Sequence, residues 1–229
     1  MRGRSPRERT MTSTPPTIRI PAYDPGPSGQ FAAQVLATAG VRGALIGRLA
    51  VWAWLPDSGD HKYTKDVDIA VAPADLPTIC ACLQRMGIVA HNLPIGGVAV
   101  RLPAPDGSQA WAQQVRVDFI ARNDEELGDL GSAVAQAVAQ AVARDVRAAI
   151  GTAQLWVVNA EWLVPLKLVA GREKDDEDVR DLIRSSGLDV DEVRRNLRTH
   201  PLLLGQVGRF EQLLIRLGHA KARRRYGGS

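Results

Sequence analysis

Three acidic residues that interrupt apolar stretches are the side chains of this sequence best placed to do chemistry. Asp66 and Asp68 stand two apart at the start of one apolar segment, and Asp118 interrupts another. Residues two apart on a strand share a face, about 6–7 Å apart by the strand rise. Carboxylates this close repel each other unless a cation lies between them, and Mg²⁺ prefers carboxylate and phosphate oxygens. If the two strands are neighbours, all three carboxylates meet, which suits phosphoryl or nucleotidyl transfer by a two-metal mechanism.

The elements that must hold these carboxylates are predicted from the hydrophobic period and from turn residues. Apolar alternation and short apolar runs predict strands, and apolar spacings of three and four residues predict helices. The predicted strands are 44–46, 66–71, 88–91, 98–102, 115–120, 146–150 and 154–158, the last two forming a hairpin. The predicted helices are 29–39 with Ser28 as its N-cap, 49–55, 76–86, most of 124–143, 160–170, 174–185, 190–198 and 202–217.

This order of elements predicts an α+β fold. Residues 28–159 mix strands with helices, whereas residues 160–229 contain helices and a basic tail, so we place a boundary near Asn159. We expect a mixed β-sheet core flanked by helices, followed by a C-terminal helical bundle, with a cleft between them. Residues 1–27 are rich in Arg, Ser, Thr and Pro without an apolar period, which predicts a disordered N-terminal extension.

Composition and charge exclude several classes of protein. Of 229 residues, 45% are hydrophobic and 24% are charged, which is the balance of a globular protein and not of a disordered one. No apolar run reaches the ~18 residues of a membrane span. Cys80 and Cys82 are interpreted as free thiols in a reducing compartment, so we expect a cytoplasmic protein. The net charge of +4 divides into +4 for residues 1–20, +5 for 209–229 and −5 between them, so the two ends could contact phosphate backbones or be solvated termini.

The layout of the motifs resembles the nucleotidyltransferase superfamily with the DNA polymerase β-like fold. In that layout a strand ends in glycine before a helix, two aspartates lie two apart on a second strand, and one aspartate lies on a later strand. The matches here are Leu45-Ile46-Gly47, then Lys62, Thr64, Asp66 and Asp68, then Asp118. The later stretch 163–179, with Lys167, Arg172, Asp175 and Asp178, resembles the signature of the AbiEii-like branch, which contains type IV toxins.

The resemblance implies a role for each of these residues. Asp66 and Asp68 would hold Mg²⁺ or Mn²⁺ on the triphosphate, and Asp118 would ligate one metal and help to activate the acceptor hydroxyl. Lys167 and Asp178 would complete the catalytic site from the helical half. The residues implied in nucleotide binding are Gly47, Arg48, Lys62, Thr64, Arg172 and Asp175. The enzyme would move a nucleoside monophosphate from an NTP to tRNA, to a protein or to a small molecule such as an aminoglycoside, and an antitoxin protein would be its partner.

One feature, the residue after Gly47, leaves a second hypothesis open. The family expects Gly-Gly or Gly-Ser after the first strand, where a small residue lets backbone N–H groups approach phosphates, but this chain has Gly47-Arg48. Arg48 could pair with a phosphate or could fill the nucleotide pocket. The alternative is therefore a degenerate, non-catalytic protein that binds nucleotide or RNA and acts as a regulator. Similarly, residues 174–181 could be an ordinary solvated helix face.

Overall fold

The computed structural model describes residues 25–55, 64, 66–105, 107, 114–185 and 187–219. The predictions for residues 1–24, for Lys62 and for the basic tail beyond residue 219 lie outside this part of the chain. Where the chain is described, no helix is both long and apolar enough to cross a membrane.

One mixed sheet forms the centre of the described chain and confirms the predicted α+β class. Its strands lie side by side in the order β3-β4-β5-β2-β1-β7-β6. The central pair, β2 and β5, runs parallel, as do β1 and β7, and the other neighbours run antiparallel. The strands are β1 (Gly43–Leu45), β2 (Val67–Val71), β3 (Ala90–Asn92), β4 (Gly97–Leu102), β5 (Val115–Ile120), β6 (Arg147–Ile150) and β7 (Ala153–Val157).

Helices flank this sheet and follow it along the chain. Helix α1 contacts the four strands β2, β5, β6 and β7, helix α4 contacts β1, β2 and β7, and α5 packs against α2, α6, α7 and α8. The helices are α1 (Gly26–Ala39), α2 (Gly47–Trp54), α3 (Leu76–Arg85), α4 (Gly131–Arg144), α5 (Ala160–Ala170), α6 (Glu173–Arg184), α7 (Val190–Leu197), α8 (Pro201–Leu204) and α9 (Val207–Arg216).

A single apolar core joins the strand-containing part to the helical part. Phe119 of the sheet, Trp162 of α5 and Phe210 of α9 are all fully buried members of it. Large aromatic side chains contribute most to such a core because each removes the greatest apolar area from water. The helical part therefore completes the core of the sheet, and the predicted boundary at Asn159 falls in the short connection between β7 and α5.

Three local predictions need correction, each for a physical reason, although most of 124–143 is helical as predicted. Ser28 does not cap a helix, because α1 begins earlier, at Gly26, and the Ser28 hydroxyl instead donates to the Gln114 carbonyl and accepts from the Arg116 N–H. Residues 124–130 are a loop, because side-chain oxygens of Asp124 and Asp129 accept backbone N–H groups that a helix would use.

The third correction concerns the last predicted helix, 202–217, which is two helices in the structure. The chain turns between α8 and α9 at Gly205 and Gln206, and the Gln206 N–H donates to the Leu203 carbonyl there. Glycine is a weak helix former, so a break at Gly205 is favoured wherever packing requires a change of direction. The break lets Leu203 and Phe210 both enter the core.

Candidate functional site

The sheet places two of the predicted carboxylates side by side. Strands β2 and β5 pair in parallel, and Asp68 lies directly opposite Asp118 in their register. The strand carrying Asp118 is thus a neighbour of the strand carrying Asp68, which is the condition under which the sequence predicts that their carboxylates meet. Asp66 lies one residue before β2, and the Thr64 hydroxyl donates to its carbonyl at 3.5 Å.

Gly47 fits against Asp68 in a way that no other residue could. Gly47 begins α2 with φ +69°, and a Cβ added there would lie 2.0 Å from Asp68 Oδ2. The Asp68 carboxylate is therefore seated against the first residue of α2. The N-terminus of a helix carries partial positive charge and favours an anion. The predicted glycine thus allows the closest approach between the first helix of the motif and the second aspartate.

Two arginines that the sequence motif did not include neutralise the other two carboxylates. Arg101 on β4 lies 2.5 Å from Asp118 Oδ1 and 3.7 Å from Asp66 Oδ1. Arg116, the register partner of Arg101 on β5, lies 2.8 Å from Asp66 Oδ1 through its Nε. The buried Asp118 Oδ1 therefore has the Arg101 guanidinium as its ion-pair partner.

The negative charges of the neighbouring carboxylates affect the ionisation of Asp68. Burial, and then the charges of Asp118 and Asp66, raise the pKa of Asp68 to about 7 from its ordinary value of 3.8, although Lys167 and Arg172 act in the opposite direction. Desolvation and neighbouring like charges both disfavour the ionised form of a carboxyl group. A carboxyl group with a pKa this far from its ordinary value is typical of a functional site.

The three carboxylates do not form one group of metal ligands in this arrangement. Among the described residues, no set of three His, Cys, Asp or Glu side chains lies close enough to hold an ion. The physical reason is that Arg116 and Arg101 hold Asp66, leaving Asp68 and Asp118 as the adjacent pair. The sequence contains one sign that an arginine lies beside these carboxylates. Arg116 and Asp118 are two residues apart, so their side chains lie on one face of β5.

The residues predicted in the helical half lie in one buried ion network. Lys167 Nζ on α5 donates to Asp175 Oδ1 at 2.8 Å and to Asp178 Oδ2 at 2.7 Å, both on α6. Arg172 donates to Asp175 through Nε at 2.6 Å. Burial acts to raise the pKa of Asp175, but hydrogen bonds from Arg172 and Lys167 outweigh it and hold that pKa below its ordinary value. Asp175 and Asp178 are buried, so this face of α6 is not a solvated one.

Arg48 belongs to the same network. Its guanidinium lies 3.3 Å from Asp178 Oδ1 and donates to the Lys174 carbonyl at 3.4 Å. Only 13% of its side chain is exposed. The Arg48 side chain thus links α2 to α6. Asp175 and Asp178 are each shared between two cations.

An open cleft with a cavity volume of about 100 Å³ lies between the sheet and the helical half. Five of the predicted residues line it, and they come from both halves of the chain: Gly47, Asp68, Lys167, Arg172 and Asp175. The rest of the lining is mostly apolar, and Arg122, which follows β5, adds a cation. A concave, largely apolar cleft with a few convergent charged groups is the usual form of a small-molecule site.

No protein-family model matches this sequence, and no curated protein matches it. Two solved structures similar to this chain are an antigenic nucleotidyltransferase-like protein from Paracoccidioides brasiliensis and the antibiotic-resistance factor ANT(2'')-Ia. The first is 17% identical, covers 84% of this chain and 92% of its own, and has a TM-score of 0.44. The second is 13% identical, covers 83% of this chain and 97% of its own, and has a TM-score of 0.42. Both likenesses are remote.

Proposed function

We propose that this protein is a metal-dependent nucleotidyltransferase that moves a nucleoside monophosphate from an NTP to an acceptor hydroxyl. The observation that carries the proposal is the placement of Asp68 beside Asp118 on parallel strands, with the glycine-started helix α2 seated against Asp68. The cleft they border also holds Lys167 and Arg172. Carboxylates next to cations, at the N-terminus of a helix, suit a metal-bound polyphosphate.

The residues at the carboxylate pair fit Mg²⁺ or Mn²⁺. Asp68 and Asp118 lie side by side, and the negative charge crowded around Asp68 favours an added cation. Asp68 and Asp118 would hold the metal, together with Asp66 if its carboxylate turns away from Arg116. When bound, the metal would polarise the phosphate oxygens and offset the charge that develops during transfer.

The remaining steps belong to side chains of this chain. Arg172 and Lys167 would hold the phosphates from the helical side of the cleft, and the backbone at Gly47 would lie close to them. Asp118 would accept the proton of the acceptor hydroxyl as its oxygen bonds to the α-phosphorus. The bond from the α-phosphorus to the bridging oxygen then breaks, and pyrophosphate leaves with the electron pair of that bond.

An assay of pyrophosphate release tests this proposal. Wild-type protein with Mg²⁺, each NTP in turn and an acceptor should release pyrophosphate, and Asp68→Asn should lower the rate by at least about 10²-fold, the loss typical of a transition-state charge contact. Asp181→Asn is the matched control, since it makes the same change on an exposed position of α6. No release by wild type with any NTP and acceptor, or full activity in Asp68→Asn, would contradict the proposal.

The ion pairs between arginines and these carboxylates also favour the second candidate, a non-catalytic nucleotide-binding protein. Arg101 already neutralises Asp118 and approaches Asp66, so a metal would have to displace it. Arg101→Gln separates the two candidates. For the enzyme we expect the variant to bind Mn²⁺ at least as tightly as wild type, measured by the electron spin resonance of free Mn²⁺. No Mn²⁺ binding by either protein, even with NTP present, would favour the non-catalytic candidate.

The proposed acceptor is tRNA, with an antitoxin protein as partner, as the AbiEii-like motif of α5 and α6 implies. A small-molecule antibiotic is the other acceptor that the resemblance allows. Transfer of label from each α-³²P NTP to total tRNA, and in parallel to aminoglycosides, distinguishes them. Labelled tRNA would support the toxin hypothesis, whereas label on an aminoglycoside would support a resistance enzyme.

A further inference from the structure

Arg122 holds an unusual backbone conformation at the rim of the cleft. It is one of two residues other than glycine with positive φ in the described chain, at 54°. Its N–H donates to the Gly96 carbonyl at 3.1 Å, and its carbonyl accepts the Leu130 N–H at 2.7 Å. A residue other than glycine rarely adopts this region, and such conformations are concentrated at functional sites. The backbone conformation therefore fixes the position of the Arg122 Cβ, from which the side chain extends.

The side chain of Arg122 is a cation without an ion-pair partner among the described residues. It lines the cleft among apolar residues such as Ile120 and Leu130, and its buried Nε has no hydrogen-bond partner among the described residues. Burial, and then the positive charge of Arg172, lower the pKa of Arg122. A buried donor without a partner costs free energy, and a second cation nearby adds to that cost.

The other cations of the cleft already have partners. Lys167 is held by two carboxylates, and Arg172 is held by Asp175. Arg122 differs from both because it forms no ion pair within the described chain. An anion that enters the cleft would supply the missing hydrogen-bond acceptor and would also separate the charges of Arg122 and Arg172.

We infer that Arg122 is a phosphate-binding residue of this cleft, which contacts the polyphosphate of the bound nucleotide. The inference rests on the proposed function for the identity of the nucleotide, and on the local geometry for the anion. A guanidinium presents a planar fork of donors that matches two phosphate oxygens at once. The apolar surroundings strengthen such a contact because they exclude water.

Binding of inorganic tripolyphosphate tests the inference without metal or catalysis. Titration calorimetry in EDTA at low salt would compare wild type with Arg122→Gln, and we expect the variant to bind about 10- to 100-fold more weakly, the range for a hydrogen bond to a charged group. Arg122→Lys keeps the charge but loses the fork, so its affinity should lie between the two. Arg85→Gln, which removes an exposed arginine at the end of α3, is the matched control and should bind as wild type does.

Thermal unfolding separates binding from a structural role. Because Arg122 has no ion pair in the described chain, Arg122→Gln should keep or raise the melting temperature of the free protein. A lower melting temperature together with unchanged tripolyphosphate affinity would overturn the inference, and so would equal affinity in all the variants or no tripolyphosphate binding by wild type.

A short RNA oligonucleotide with a 5'-hydroxyl end provides a further arm. If Arg122→Gln weakened binding of this RNA and left tripolyphosphate binding unchanged, Arg122 would contact the acceptor and the inference would be overturned. A failure of the phosphate-binding role can be distinguished from a failure of the proposed function. Tripolyphosphate binding that depends on Arg122, without any pyrophosphate release from NTP, would contradict only the enzyme, whereas active wild type with an unaffected Arg122→Gln would contradict only the phosphate subsite.

Discussion

Asp68 is the carboxyl group of the cleft with the most unfavourable charge interactions. It shares its register position with Asp118 and receives no arginine of its own in the described chain, whereas Asp66 and Asp118 both do. An arrangement that neutralises two acids and leaves a third crowded costs stability in the free protein. Such a cost is typical of sites that a ligand or cation later completes.

The raised pKa of Asp68 predicts a pH-dependent loss of stability in metal-free protein. The folded chain binds this proton more tightly than the unfolded chain, so the stabilising contribution is complete below pH 3.8 and is lost as the pH rises to about 7. Asp68→Asn removes this dependence. We expect the melting temperature of the variant, measured in EDTA, to match wild type near about pH 4 and to exceed it on the order of 3 °C or more near about pH 8.

Other titrating groups act on both proteins and therefore cancel in this comparison. Asp181→Asn should show no such growing difference, because Asp181 is an exposed member of an ordinary surface ion pair. A constant difference between Asp68→Asn and wild type across this pH range would contradict the raised pKa.

At the scale of elements, the junction of β1 and α2 is the tightest part of the site. The chain passes from β1 to α2 at Gly47, and the Ile46 N–H donates to the Asp68 carbonyl at 2.9 Å, so backbone and side chain of Asp68 are both close to the turn. Helix α2 is in turn joined to α6 by Arg48 and Asp178. The position of the helical half is thereby linked to the position of the carboxylates.

Gly47→Ala should destabilise the protein more than a comparable glycine substitution does. The new Cβ would meet Asp68 Oδ2 at 2.0 Å, in addition to the strain of φ +69°. Gly87→Ala is the matched control, because Gly87 has φ +71° and nothing within 4 Å of the added Cβ. In urea denaturation we expect Gly47→Ala to lose about 1–3 kcal/mol more than Gly87→Ala, the range for overpacking. Equal losses would mean that the close approach to Asp68 relaxes freely.

At the scale of the whole molecule, the shared core makes the two parts of the chain interdependent. Trp162 and Leu168 of α5 are buried in the same core as the sheet, and α9 contributes Phe210 to it. The cleft lies where the strand-containing part meets the helical part. Its shape is therefore kept only while both parts are folded. We regard the helical part as a structural wall of the site.

The interdependence predicts cooperative unfolding of the full chain. In calorimetry we expect one transition whose calorimetric and van't Hoff enthalpies agree. A fragment that ends at residue 159 should not fold, because it would expose the core surface that α5 covers. Two separate transitions, or a fragment with a cooperative melt, would contradict the shared core and support two independent domains.

The sequence by itself determined the elements near the site and the types of its chemical groups. The period of apolar residues placed β2, β5, α5 and α6 to within one residue, since that period depends on which side of each segment is buried. The spacing of Asp66 and Asp68, and of Asp175 and Asp178, placed each pair on one face of its element. Predictions were poorer where side chains compete for backbone hydrogen bonds, as Asp124 and Asp129 do.

Only the tertiary structure decided which charges meet. Strand pairing brings Asp118 to Asp68, and the antiparallel neighbour β4 brings Arg101 to Asp118, whereas helix packing directs Arg48 to Asp178. These partners are separated by 17 to 130 positions along the chain, so no local period contains them. Such contacts form because the whole core packs in one arrangement, and that arrangement leaves Arg122 facing the cleft without a counter-charge in the described chain.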